Sequence, residues 1–240
     1  MAFPSSNLSL KSVTDAYGVS SLLGLVGKTY YDNGGTSHVV TSPVSLSTFF
    51  GKFSLDPSPL LNQPVTSTSI PLPLNKPTPV HFIMTLVGGD GTGGSGGGSN
   101  FTNNGGNGGS GGSGATLITA NLLYNSTKFG NISITLPYSG QGGDAIVIYD
   151  NNIYNAQSGY NGSGGGSAAG LINGSQGSNG NGGIPTINGS TSFTNDFGIG
   201  TNGSSGAGGA GGAGGQAPFG APGGGSLGSP GSIYISWYFT

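Results

Sequence analysis

The side chains able to do acid–base, metal or anion chemistry are few: two histidines, His38 and His81, seven aspartates and five lysines, with no Arg, Glu or Cys. Paired catalytic carboxylates need a fixed pocket and environments that separate their pKa values. Asp15, Asp32, Asp56, Asp90, Asp144, Asp150 and Asp196 instead sit mostly beside Gly or Asn, in surroundings that form turns. Oxygen ligands at Asp144, Asp150 and Asn151 would suit calcium, but turn-forming Asp is the reading their neighbours favour. The run Asp90-Gly-Thr-Gly-Gly inverts the order of an aspartic-protease motif and lacks a companion. As a phosphate cradle, Gly88-Gly-Asp-Gly-Thr-Gly-Gly lacks both a following helix and a placed lysine. The expectation is a non-enzymatic protein with no catalytic residues, no cofactor and no metal.

The elements that would have to position such groups explain the same restraint. Charged residues make up 5% of the chain, against about 25% in ordinary globular domains. Without Arg, and with five scattered Lys, there is no electrostatic footprint for phosphates, so no nucleic-acid partner is expected. The absence of Cys removes disulfides and thiolate zinc sites. No stretch approaches the roughly 18 apolar residues of a membrane span, so none is expected. Aromatics at 9%, with recurrent Val, Ile and Leu clusters, argue for a packed core and against disorder.

Composition divides the chain. Only six of the 53 glycines precede residue 88, and the remainder crowd the stretch from Gly88 to Gly231. Just upstream, Pro57, Pro59, Pro64, Pro71, Pro73, Pro77 and Pro79 mark an extended segment. The organisation expected is an N-terminal docking arm over 1–56, a Pro-rich extended linker over 57–80 and a glycine-rich β domain over 81–240.

In the arm, Ser9 and Ser45 are placed to cap short helical turns that Gly18 and Gly51 close in the left-handed conformation. Asp32-Asn-Gly-Gly35 reads as a turn. Such short elements cannot make a large core, so Leu8, Leu10, Tyr17, Tyr30, Tyr31, Val44, Leu46, Phe49 and Phe50 are candidate assembly contacts. From residue 81 the pattern becomes strands rich in β-branched and aromatic residues: 81–87, 115–124, 131–136, 145–149, 191–194 and 232–239. Ile233, Ile235, Trp237 and Phe239 share one face of the last, which predicts a buried closing strand.

The tracts 88–114, 158–183 and 198–231 separate these strands. Ala-Gly-Gly recurs every three residues over 207–215, the period of a polyproline-II turn, which has no internal hydrogen bonds. With two of three residues Gly, adjacent extended helices can approach and exchange backbone bonds. The strict Gly-x-y register of collagen is missing. A flexible Gly/Ser linker is the simpler alternative for one isolated tract, but three tracts interleaved with strands predict order. The fold class expected is all-β: a short-stranded, sandwich-like core with polyproline-II-like tracts packed beside it. Phe101, Tyr154, Tyr160 and Phe219, set among the tracts, are candidate surface-binding residues able to stack on sugars or subunits. Eight Asn-x-Ser/Thr sequons occur, at a frequency that composition alone explains.

A strand running into Gly88-Gly89, the Gly/Ser/Asn tracts and the ending Gly-Ser-Pro-Gly-Ser-Ile-Tyr-Ile-Ser-Trp237 resemble the glycine-rich domains of bacteriophage tail and tail-fibre proteins and of large DNA virus structural proteins. Val44-Ser-Leu-Ser-Thr-Phe-Phe-Gly-Lys52, with Tyr30-Tyr-Asp-Asn-Gly34 upstream, resembles the Ile-Ser-Leu-Ser-x-Phe-x-Gly segments that precede such domains. The resemblance implies a virion component, a minor capsid, vertex or tail protein, assembled as an oligomer with other virion structural proteins. In fibres it implies a host-attachment adhesin with a surface glycan or receptor as partner. It carries no catalytic positions. A third reading, an ice-binding or cell-wall glycine-rich protein, calls for flat Thr or Ala arrays, and Ser and Asn interrupt them here.

Overall fold

The computed structural model describes residues 2–137 and 143–239. Strands dominate, in three antiparallel sheets, and the protein is all-β with little helix.

The N-terminal residues begin with helix α1 (Leu10–Tyr17), whose start and stop follow the sequence. Ser9 Oγ accepts from the Ser12 N–H at 3.1 Å, and Gly18 closes the helix at φ 63°. The second capped turn is a 3₁₀ turn, Leu46–Phe49, where Ser45 Oγ accepts from the Ser47 N–H and Gly51 adopts φ 63°. Strands β1 (Thr29–Tyr31) and β2 (Ser37–Val39) form a hairpin over the Asp32 turn, where Asp32 Oδ1 accepts from Gly34 and Thr36. The expected arm is more than an arm: Phe3, Leu8, Val13, Leu25, Val40 and Phe49 are buried together in a core of their own. Short elements achieve this because four rings, Phe3, Tyr17, Tyr30 and Phe49, meet at 5.7–6.1 Å and supply large apolar area per residue.

The Pro-rich segment is likewise not only a linker. Its residues Leu60–Pro64 form β3, the edge strand of the largest sheet, paired with the closing strand. An edge is where Pro64 fits, since it has no N–H to offer a further neighbour. A salt bridge ties the segment down: Lys76 Nζ lies 2.7 Å from Asp56 Oδ2 and 2.9 Å from the Ser58 carbonyl.

The remaining strands are β4 (His81–Val87), β5 (Thr116–Thr119), β6 (Leu122–Leu123), β7 (Ser133–Thr135), β8 (Ala145–Tyr149), β9 (Asn152–Ala156), β10 (Pro185–Ile187), β11 (Gly198–Thr201) and β12 (Ser232–Tyr238), with helix α2 (Ser126–Gly130) before β7. One sheet runs β11-β5-β4-β12-β3, with β6 also on β4, and the other runs β10-β9-β8-β7. The two share one core. Phe82, Met84, Leu86, Leu117, Ile233, Ile235 and Trp237 of the larger sheet meet Ile134, Ala145, Val147, Tyr154 and Ile187 of the smaller, and Phe129 of α2 joins them.

Two expectations are corrected. The stretch 115–124 breaks after Thr119, because the buried Thr119 Oγ1 accepts from the Met84 N–H at 2.9 Å in place of a strand carbonyl. Residues 191–194 are not a strand; Ile187 and Ser190 exchange backbone bonds in a tight turn that ends β10, and Phe193 packs on the core from the loop.

Three pairs of tracts leave this core as extensions of strand pairs: 88–98 and 104–114 between β4 and β5, 158–167 and 174–183 between β9 and β10, 203–216 and 220–231 between β11 and β12. They carry no regular secondary structure of their own, and their backbone groups bond between tracts with a period of three. Gly91, Gly94 and Gly97 donate to the carbonyls of Gly112, Gly109 and Gly106 in the second tract. Asp90, Gly93 and Gly96 donate to Ser229, Ser226 and Gly223 in the sixth. Gly159, Gly162 and Gly165 of the third donate to Gly89, Thr92 and Ser95, while Gly209, Gly212 and Gly215 of the fifth donate to Gly91, Gly94 and Gly97. All twelve bonds measure 2.8–2.9 Å. The pattern places the tracts in two rows of three, sixth–first–third over fifth–second–fourth, with the first, second and fifth each bonded to four others, the fifth reaching the fourth through Gly203 and Gly206 near its start. Glycine is required by proximity: a Cβ on Gly94 would stand 2.0 Å from the Ser163 carbonyl oxygen.

Candidate functional site

Amides at the bundle surface have no facing tract, and side chains satisfy them instead. Asn161 Oδ1 accepts from Thr92 N at 2.8 Å, Asn173 from Asn104 N at 3.0 Å, Asn179 from Ser110 N at 3.0 Å, and Asn107 from Gly214 N at 2.7 Å. The asparagine content of the tracts therefore has a structural use, since a carboxamide oxygen on one tract reaches the outward N–H of the next. Among the sequon residues, Asn100, Asn125, Asn161, Asn173 and Asn188 all accept from backbone N–H groups in this manner.

The groups that could do chemistry are dispersed. Asp15 pairs with Lys11 at 2.8 Å and Asp150 with Lys128 at 2.7 Å, while Asp90 accepts from Gly114 N and Asp144 from Ser158 N. Asp144 and Asp150 flank opposite ends of β8, roughly 20 Å apart at about 3.4 Å per residue, so they do not share the calcium site considered with Asn151. Among the described residues no three His, Cys, Asp or Glu side chains group as a metal site. His81 stacks on Tyr238 at 4.7 Å and His38 on Tyr30 at 5.1 Å. The Thr36 N–H bond lowers the Asp32 pKa from its ordinary value. At Asp56 burial pushes upward, but the bonds from Lys76 and Ser58 outweigh it and bring the carboxyl down to about 2. Burial, with Tyr31 and Tyr30 nearby, lifts Tyr17 to about 12, and burial raises Tyr149 and Tyr154. These shifts belong to turns, an ion pair and cores.

What the fold does gather is the far end of the bundle. Three turns, 99–103, 168–172 and 216–220, close the three tract pairs there. Asn100 Nδ2 and Asn103 Nδ2 donate to the Gly170 carbonyl at 2.9 and 3.1 Å, Ser99 Oγ donates to Gln216 O at 2.7 Å, and Phe219 N donates to Asn100 O at 3.3 Å. The turns thus form one tip. From it Phe101, Leu171, Ile172 and Phe219 project, 69%, 88%, 74% and 73% exposed, with the two phenyl rings 5.9 Å apart. No Asp or Lys lies in 91–127, in 151–195 or in 197–240, so no formal charge accompanies the tip along these stretches.

No protein-family model matches this chain, and no curated protein matches it.

Of the candidate binding residues, then, Phe101 and Phe219 come together at the tip. Tyr160 lies elsewhere, exposed beside Asn161, Thr92 and Leu227 in a groove along the first and third tracts. Tyr154 is corrected to the core: it occupies an inward position of β9, not a loop. Leu171 and Ile172 were missed, although an apolar pair inside a Gly/Ser/Asn tract was signal enough. Of the candidate assembly residues, Leu8 and Phe49 are buried in the small N-terminal core, with Tyr17, Tyr30, Val44 and Leu46 packed against it. Tyr31 pairs in β1, which leaves Leu10 and Phe50 exposed, together with Leu23, Val26 and Val39. A cleft of about 750 Å³ lies between this unit and the β core, lined by Ala2, Phe53, Leu55, Lys76, Val80 and Phe239.

Proposed function

We propose that this chain is a non-enzymatic structural protein of a virion, in which a β-sandwich core carries a rigid stalk of six polyproline-II-like tracts. The observation that supports this reading is the period-three exchange of backbone bonds among the tracts. A chain with three residues per turn and no internal bonds presents its N–H groups outward in three directions, and neighbouring tracts or, at the surface, asparagine side chains then meet them. At about 3.1 Å per residue, eleven residues such as 88–98 extend roughly 30 Å. Ordering so much glycine is entropically costly, so the molecule gains from the stalk only if its stiffness matters. Holding a surface at fixed distance from an assembly is such a use. The virion setting rests on the resemblance of the Val44–Lys52 phrase and of the tract-to-Trp237 ending to virion proteins.

In this reading residues 2–56 dock on neighbouring subunits through the exposed Leu10, Leu23, Val26, Val39 and Phe50, not through the residues of their own small core. Deleting residues 2–56 is expected to leave the two-sheet core folded and to abolish incorporation into particles, measured by the chain's abundance in purified virions. Wild-type abundance of the truncated chain would contradict the docking role.

A second reading, a host-attachment adhesin, is favoured by one observation: the stalk ends in four exposed apolar side chains contributed by three turns.

A further inference from the structure

We infer that the bundle tip inserts Phe101, Leu171, Ile172 and Phe219 into the interface of an uncharged lipid bilayer. The inference rests on the reading of the bundle as a stalk that presents its tip. Four large apolar side chains at one convex end are unusual for a surface that only faces water. Three observations select lipid as the occupant.

First, much of the backbone of the turns is already bonded internally. Asn100 N donates to Asn103 O, Thr102 N and Asn103 N donate to Asn100 Oδ1, and Ala169 and Ile172 exchange both their bonds. Ala168 N donates to Gly98 O, Gly220 N to Gln216 O, and residue 218 is Pro with no N–H. A segment entering the acyl boundary must satisfy its amides without water, and this tip meets most of that demand before it arrives. A protein partner could complete such bonds itself, whereas lipid chains cannot.

Second, the tip has no formal charge, and neither does the chain for many residues on either side of each turn. Attraction to anionic headgroups is therefore absent, and burial of apolar surface is the available driving force. Two phenyl rings beside two aliphatic side chains suit the boundary between headgroups and chains.

Third, the tip is narrow for a second copy of the chain. A stable protein interface draws on about 20 to 30 residues a side, whereas the tip is three short turns, 99–103, 168–172 and 216–220, with four large apolar side chains. Inserting side chains into lipid needs no matching surface. The stiff bundle also spares the ordering cost that a flexible loop would incur on insertion.

The experiment is flotation of the full chain with phosphatidylcholine vesicles, beside Phe101→Ser/Phe219→Ser and Leu171→Ser/Ile172→Ser variants. Each replaces exposed side chains, and unchanged amide protection of the tracts verifies the fold. The wild type is expected to float with the vesicles equally at low salt and at about 1 M salt, where surface charge attraction is screened. Each double variant is expected to lose binding by about tenfold or more, as removal of two apolar anchors requires. Failure of the wild type to float, equal flotation of the variants, or binding that salt abolishes would each overturn the inference. Concentration-dependent dimers that both variants abolish would likewise overturn it and give the tip to a second copy. Protected tracts without flotation would sink the lipid assignment alone, whereas unprotected tracts would sink the stalk beneath it.

Discussion

Replacing Gly94 with alanine is expected to unfold the glycine bundle. Gly94 lies in the middle of the first tract, where it donates to Gly109, accepts from Gly212 and faces the third tract. An added Cβ would stand 2.0 Å from the Ser163 carbonyl oxygen and 2.4 Å from its carbon, both main-chain atoms that cannot rotate away. Relief requires the first and third tracts to separate by more than 1 Å, which breaks the neighbouring bonds between them. Overpacking at about 1–3 kcal/mol and the loss of two or more buried bonds at about 1 kcal/mol each sum to about 3–5 kcal/mol. That is a large share of the roughly 5–15 kcal/mol by which domains are stable. Gly224→Ala is the matched control, because nothing lies within 4 Å of its added Cβ. It is expected to be neutral, or stabilising by about 0.4–1 kcal/mol through the unfolded chain. Denaturant unfolding followed by circular dichroism compares the two, and equal stability of both variants would contradict close backbone packing.

Trp237→Ala is expected to destabilise the β core by about 3–5 kcal/mol, as truncation of a large aromatic in a packed interior does. The indole is almost wholly buried on β12, between β4 and β3 in its sheet, with ring centroids 5.6 Å from Phe82 and 5.2 Å from Phe129. Its removal strips contacts from the larger sheet and from α2 at once. Trp237→Phe keeps a ring against Phe82 and is expected to cost less than half as much. The ranking, read from thermal unfolding midpoints, would be refuted if Trp237→Ala melted with the wild type. Because the tract pairs spring from β4, β9 and β12 among others, loss of this core is also expected to release the bundle.

Much of this architecture was legible in the sequence where side chains repeat with a clear period. The alternation in 232–239 marked β12 with its buried face, the β-branched and aromatic content of 81–87 marked β4, and the Ser9–Gly18 spacing marked α1 with its caps. The composition break at Gly88 marked the start of the first tract. Elsewhere the signal was weaker than the tertiary context. In β3 the prolines suggested a linker, but an edge position needs few donors, so Pro64 is tolerated in a sheet. β10 and β11 are short and hold Pro185, Gly198 and Gly200, which local propensity counts against strands. β9, with Tyr154, was hidden by Asn152 and Asn155 on either side of it.

The tracts expose a different limit. Glycine has no side chain to encode a partner, so the pairing of the first tract with the sixth cannot be read locally. It follows instead from the order of β12 beside β4 in the sheet from which both tracts emerge. The tip was half legible for the same reason: Phe101 and Phe219 stood out as aromatic residues, but only the packing of three turns brings Leu171 and Ile172 beside them.

The central claim is that the side-chain-poor half of the chain is ordered by bonds between its own tracts. Amide hydrogen exchange on the intact protein, resolved by residue, tests it. Gly91, Gly94, Gly97, Gly106, Gly109 and Gly112 of the two central tracts, each donating to a neighbouring tract, are expected to exchange as slowly as Met84 and Ile235 in the sheet. Exchange of those glycines at the rate of an unstructured peptide, with the sheet still protected, would contradict the account.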